Sequence, residues 1–160
     1  MLDKKFSDML VSLFERYLSF YKQFLSLEKR KYEDIKSDRL GILDSTVNEE
    51  QAFLLKARGM EAERESLLKG TPYKNSTFRE LIPLFGELER ERVSEIYEEL
   101  SKVVLNIKDT NSSCSDLTTL KLRRTRAELR KLESNPELQK VYDARAREHL
   151  SQMSLISRKA

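Results

Sequence analysis

The sequence predicts an all-α protein, an elongated antiparallel helical bundle or coiled coil of three long helices followed by a short C-terminal helical tail. Apolar residues recur at helical spacing along most of the chain, and no alternating strand pattern survives. Gly and Pro number only 4 and 3 among 160 residues. The charged fraction is 36%, against roughly 25% in ordinary globular domains, which suits long helices with solvated faces.

The first helix is predicted from Phe6, Leu10, Leu13, Tyr17, Phe20, Phe24 and Leu27, spaced in alternating steps of four and three. A second row, Phe14, Leu18, Tyr21 and Leu25, widens this seam and favours a bundle over a simple dimer. Phe6, Tyr17, Phe20 and Phe24 are expected to be structural. The pattern fades from Glu28 to Lys36, where charge dominates. It resumes at Leu40, Val47, Leu54, Leu55, Ala62, Leu67 and Leu68 in a second helix ending at Gly70. Ser37/Asp38 or Thr46, with Glu49 three residues on, offers a cap for its start, and the earlier start is preferred. Gly59 inside this helix serves either close packing or a bend.

Lys69 to Ser76 gathers Gly, Pro, Asn and Ser and reads as a loop. Thr77 and Glu80 form a candidate capping box opening FRELIPLF, a brief helix or kinked lead-in interrupted by Pro83 and Gly86. A third long helix follows from about Glu87 to Glu133. Asn135 and Pro136 then read as a cap and a first-turn proline, starting a weakly amphipathic helix to Leu150 whose anchors are Leu138, Val141, Tyr142 and Leu150. The expected division is a bundle domain over 1–134 and a mobile tail over 135–160.

The chemistry points away from catalysis. Cys114 is the single cysteine, so no intramolecular disulfide forms and a reducing, cytoplasmic location fits best. Asp3, Asp8, Glu15 and Arg16 interrupt the apolar positions of the first residues, leaving neither a leader nor a membrane span. The lone His149 cannot build a triad or a His-cluster metal site. Paired acids such as Glu49/Glu50 and Glu98/Glu99 point to different helix azimuths rather than into one pocket. No phosphate loop, CxxC or HExxH occurs, so no catalytic, metal or cofactor-binding residue is assigned and no cofactor is expected.

Two features suit binding. Residues 121 to 131, KLRRTRAELRK, hold six basic side chains and one acidic. The net charge of only +3 and the lack of interleaved aromatics disfavour nucleic acid, and the stretch instead suits an acidic surface such as Glu61, Glu63 and Glu65, or a protein partner. The apolar residues nearby, Leu117, Leu120, Leu122, Leu129 and Leu132, suit core packing or a partner-binding groove face. Asn111 and Cys114 break the apolar stripe of the third helix among Ser and Thr residues. They read as a register device or local loosening of the bundle, or as a partner contact.

The order of these features resembles the FlgN family of flagellar type III export chaperones. The likeness runs from about Leu10 to Leu132: an amphipathic first helix, a second ending in ARGMEAERESLLKG (Ala57 to Gly70), the FRELIPLF lead-in, and a long helix containing NIKDTNSSCSDL (Asn106 to Leu117). The family usually carries two asparagines three residues apart in that last stretch. Asn111 matches the first, Cys114 stands in place of the second, and Leu117 follows. The resemblance implies a cytosolic chaperone that holds the C-terminal ends of the hook-filament junction proteins FlgK and FlgL and delivers them to the export-gate component FlhA. Its partner-binding residues would be Asn111, Cys114, Leu117, Leu120, Leu129 and Leu132, with Tyr142 in VYDARA a candidate for gate contact. A self-associating scaffold, for instance a homodimer, and a nucleic-acid binder using 121 to 131 are the alternatives.

Overall fold

A computed structural model describes the backbone of residues 1–159 and the side chains of 1–152 apart from residue 138. Leu138, expected as a tail anchor, therefore lies outside the described side chains. The described elements are α1 (Lys4–Lys36), α2 (Leu40–Leu68), the short α3 (Phe78–Leu81), a single 3₁₀ turn (Ile82–Leu84), α4 (Glu87–Glu133) and α5 (Pro136–Lys159), with no strand among them. The contacts divide the chain into two compact units, Met1–Ser113 and Cys114–Ala160.

Within the first unit, α1 is the central element. Its stripe Leu10, Leu13, Phe14, Tyr17, Phe20, Phe24 and Leu27 is buried, and Phe6 packs against the core from a partly buried position. The aromatic face is therefore structural, as its spacing predicts. The chain reverses at Ser37–Arg39, where Asp38 adopts a left-handed conformation at φ 55° that short acidic side chains tolerate better than most. The second helix begins at Leu40, close to the earlier of its two candidate starts. Neither candidate acts as a cap, for Arg39 occupies that position without a side-chain bond and Thr46 lies inside the helix.

α1 and α2 form an antiparallel hairpin whose register is legible in its polar pairs. Arg16 grips Glu63 with two hydrogen bonds of 2.6 and 3.0 Å, Tyr17 donates to Glu61, Arg30 to Glu49, and Thr46 to Asp34. Phe53 sits on Phe20 and Phe24 at centroid distances of 5.4 and 5.6 Å and sets the rotation of α2. That rotation overturns part of the expected apolar stripe, while Leu68 is buried and Leu67 packs against the core as expected. Phe53, Ala57 and Met60 turn inward, whereas Leu40, Leu54, Leu55 and Ala62 are exposed. A Cβ on Gly59 would meet open space, so close packing does not explain that glycine, and the helix runs through it.

The loop after α2 leaves the chain beside the start of α1. Gly70 supplies the left-handed turn at φ 82°, and Thr71 donates from both its amide and its hydroxyl to Leu68 O. The Thr77–Glu80 capping box forms as expected. The lead-in is then pinned by Leu2 N donating to Leu84 O and by burial of Leu81 and Phe85 against Phe14. Because the chain has returned to this end, α4 must run alongside α1 in the same direction. Ser7–Glu89, Glu15–Arg92, Lys22–Glu99 and Lys31–Asn111 pair in ascending order along both helices. Antiparallel packing thus describes the α1–α2 hairpin, while α1 and α4 are parallel. Val93, Ile96 and Val103 are the buried face of α4 in this unit.

In the second unit, α4 continues from Cys114 to Glu133. Asn135 caps α5 by accepting from Glu137 N, and α5 runs beyond the expected end at Leu150.

Candidate partner-binding surface

The polar residues of α4 start the site. From Asp109 to Asp116 every residue is a weak helix former, because short polar side chains offer the backbone competing hydrogen bonds. Ser113 donates back to Asp109 O, and Thr118 to Cys114 O, a pattern that slightly loosens a helix. Cys114 is itself buried.

Asn111 is not left idle. Its Oδ1 accepts a 3.2 Å hydrogen bond from Lys31 on α1, whose ammonium also donates to Glu50 on α2 at 2.8 Å and lies 2.8 Å from Glu28 Oε2. One cation thus ties three helices together. Glu28 is only 1% exposed, and neither of its oxygens has a hydrogen bond of good geometry. Burial, opposed by Lys31 but reinforced by neighbouring Glu50, pushes the Glu28 carboxyl above its usual range. Burial would push Glu50 the same way, but Lys31 and the neighbouring Glu28 outweigh that and hold it low. Lys31 is raised because the two acids outweigh its own burial. Among the readings of Asn111, the register device is the one with a geometric partner. Lys31, Glu28 and Glu50 fell within or beside stretches read as solvated charge, and only the opposing helices reveal their burial.

Farther along α4 lie the leucines. Leu120 and Leu129 are exposed, Leu117 and Leu132 half-buried. Leu117 and Leu120 are one turn apart, as are Leu129 and Leu132. At about 3.6 residues per turn the four sweep roughly half the helix circumference. Leu122 changes this picture. With Thr125, Leu129 and Leu132 it falls within roughly 80° of arc at that same pitch, giving a compact apolar stripe. Leu122 is 53% exposed and Leu129 41%. Lys121 and Glu128 border the stripe on one side with Arg124 beyond them, Arg126 and Arg130 lie on the other, and Glu128 is the one acid between Leu117 and Leu132.

Two of the three acids expected to answer this basic stretch are engaged elsewhere. Glu63 takes Arg16, and Glu61 takes Arg64 and Tyr17. On α5, Val141 and Tyr142 are exposed, Tyr142 by 41%, and so is His149. Among the described residues no group of acidic, His and Cys side chains is arranged to hold a metal ion, and no helix is long and apolar enough to cross a membrane.

The sequence matches the family model described as FlgN protein over residues 1–149. The chain belongs to the FlgN family. It is thereby a flagellar export chaperone, from a family of chaperones rather than enzymes. No curated protein and no solved structure matches it. The FlgN match spans the Lys31–Asn111 contact, the leucine stripe of α4 and Tyr142 alike, so every candidate residue falls inside the family region.

Proposed function

We propose that this FlgN-family chain holds the C-terminal ends of the hook-filament junction proteins FlgK and FlgL through α4 beyond Cys114 and hands them to the export-gate component FlhA. The observation that carries the reading is the partly exposed leucine stripe of α4. Leu122, Leu129 and Leu132, with Leu117 and Leu120 just before them, offer the apolar anchors that an amphipathic cargo helix needs. A disordered cargo end that folds on this stripe loses its conformational freedom only on binding, so the complex stays reversible, as an escort requires. Asn111 and Cys114 mark where the cargo-holding part begins, and Tyr142 on α5 is the residue offered to the gate.

Titration calorimetry of the full chain with C-terminal segments of FlgK and FlgL tests the cargo half, and Tyr142→Ala tests the gate half. Expected are saturable binding of the segments by wild type and by Tyr142→Ala alike, and binding to an FlhA cytoplasmic domain that only Tyr142→Ala weakens. Absence of segment binding removes the cargo assignment. FlhA binding indifferent to Tyr142→Ala removes that of the gate.

A further inference from the structure

The leucine stripe of α4 has four cations and one acid beside it, and that surplus of positive charge selects a partner. In paired helices the residues flanking an apolar seam meet the flanks of the other helix, so their charges decide which helix is accepted. Here those residues are Lys121 and Glu128 on one side, with Arg124 beyond them, and Arg126 and Arg130 on the other, four cations to one acid. Among the described residues no ion pair engages Arg124, Arg126 or Arg130. A second copy of the same stripe would bring the same four cations and one acid, so most of the facing pairs would be like-charged. The chain's own α5 is no better a complement, since Glu137, Asp143 and Glu148 alternate there with Lys140, Arg145 and Arg147.

We infer that the α4 stripe is built for an acidic amphipathic helix of another protein, one whose apolar face is flanked by Asp or Glu. This rests on the cargo reading above and adds to it the charge that the cargo helix must carry. An anionic membrane fits less well. A bilayer takes up one broad apolar face, whereas this stripe is narrow, contains Thr125 and no aromatic residue, and Arg123, Arg126 and Arg130 line the side turned away from Leu117. Nucleic acid would use the arginines but leave the leucines wet.

The test uses the full chain and three synthetic peptides followed by fluorescence anisotropy at low and high salt. Two share one leucine face and carry either Glu or Lys beside it; the third has the Glu peptide's composition scrambled so that no apolar face forms. The Glu peptide should bind about tenfold tighter than the other two, since each exposed pair contributes little but several differ between the arms. Added salt should narrow the gap to the Lys peptide. The triple substitution Arg124→Glu, Arg126→Glu and Arg130→Glu, checked for helicity by circular dichroism, should reverse the preference. Equal binding of Glu and Lys peptides overturns the inference, as does equal binding of the scrambled peptide, which would show bulk charge alone. So does binding confined to phosphatidylglycerol vesicles or duplex DNA. FlgK and FlgL segments that bind regardless of the triple substitution overturn it while leaving the proposed function standing. A Glu-peptide preference without FlgK or FlgL binding does the reverse.

Discussion

Lys31 on α1 donates a 3.2 Å hydrogen bond to Asn111 on α4, joining residues 80 positions apart. The same ammonium serves Glu50 on α2 and Glu28 on its own helix, so its removal leaves two acids facing each other with little water between them. Lys31→Met should therefore destabilise the protein by about 3 to 5 kcal/mol, the range for removing one partner of a buried ion pair. Denaturant unfolding followed by circular dichroism measures this. A loss under about 1 kcal/mol, the value of a surface pair, would show that water reaches the cluster.

Glu28 makes the same cluster sensitive to pH. Its carboxyl titrates higher in the folded than in the unfolded chain, so the folded state holds that proton more firmly. The stability this contributes is present below the ordinary carboxylate value of 4.5 and is lost as pH rises through the raised folded value. Glu50, held low, acts in the opposite sense and loses its contribution as pH falls. Glu28→Gln keeps the shape and removes the titration. The mutant's melting temperature relative to wild type should climb as pH rises above 4.5 and then level off. Parallel curves would mean that Glu28 ionises as it does in water.

Phe20 tests the hydrophobic half of the same hairpin. It is 3% exposed and touches Phe24, Phe53 and Tyr21. Phe20→Ala should cost about 3 to 5 kcal/mol, because a ring deleted from a packed site leaves a cavity that the helices close only in part. A mutant that melts like wild type would place this face in solvent.

What could be read in advance follows the range of the forces involved. The starts of α3, α4 and α5 were legible because Thr77, Pro83, Gly86, Asn135 and Pro136 act on their immediate neighbours, whereas α5 runs past its expected end. The rotation of α2 was not legible. Phe53 and Leu54 are adjacent, either can lead an apolar stripe, and the choice is made by Phe20 and Phe24 on the facing helix. The parallel course of α4 beside α1 depends on where the 69–86 connection delivers the chain, which local periodicity does not encode. The polar cluster was hidden for the same reason, since Lys31 meets Glu50 across 19 residues and Asn111 across 80. In the candidate site, Leu117, Leu120, Leu129 and Leu132 were visible as leucines. Leu122 stands seven residues before Leu129, so their shared face is legible from the same spacing.

The leucines of α4 separate a binding role from a core role by what their loss does to stability. A core leucine such as Leu68, with no exposed surface, should cost about 2 to 5 kcal/mol on truncation to Ala. Leu129 is 41% exposed and Leu132 half-buried, so both keep apolar area in contact with water that Leu68 lacks. Leu129→Ala combined with Leu132→Ala should therefore shift the melting temperature little. If a cargo helix covers that area, the double variant should also lose most of its affinity for FlgK and FlgL C-terminal segments in calorimetry, since an anchor pair buried on binding contributes far more than its rim. Full retention of affinity would move the binding site off this stripe. Unfolding of the double variant would assign both leucines to the fold and withdraw them from the partner-binding surface.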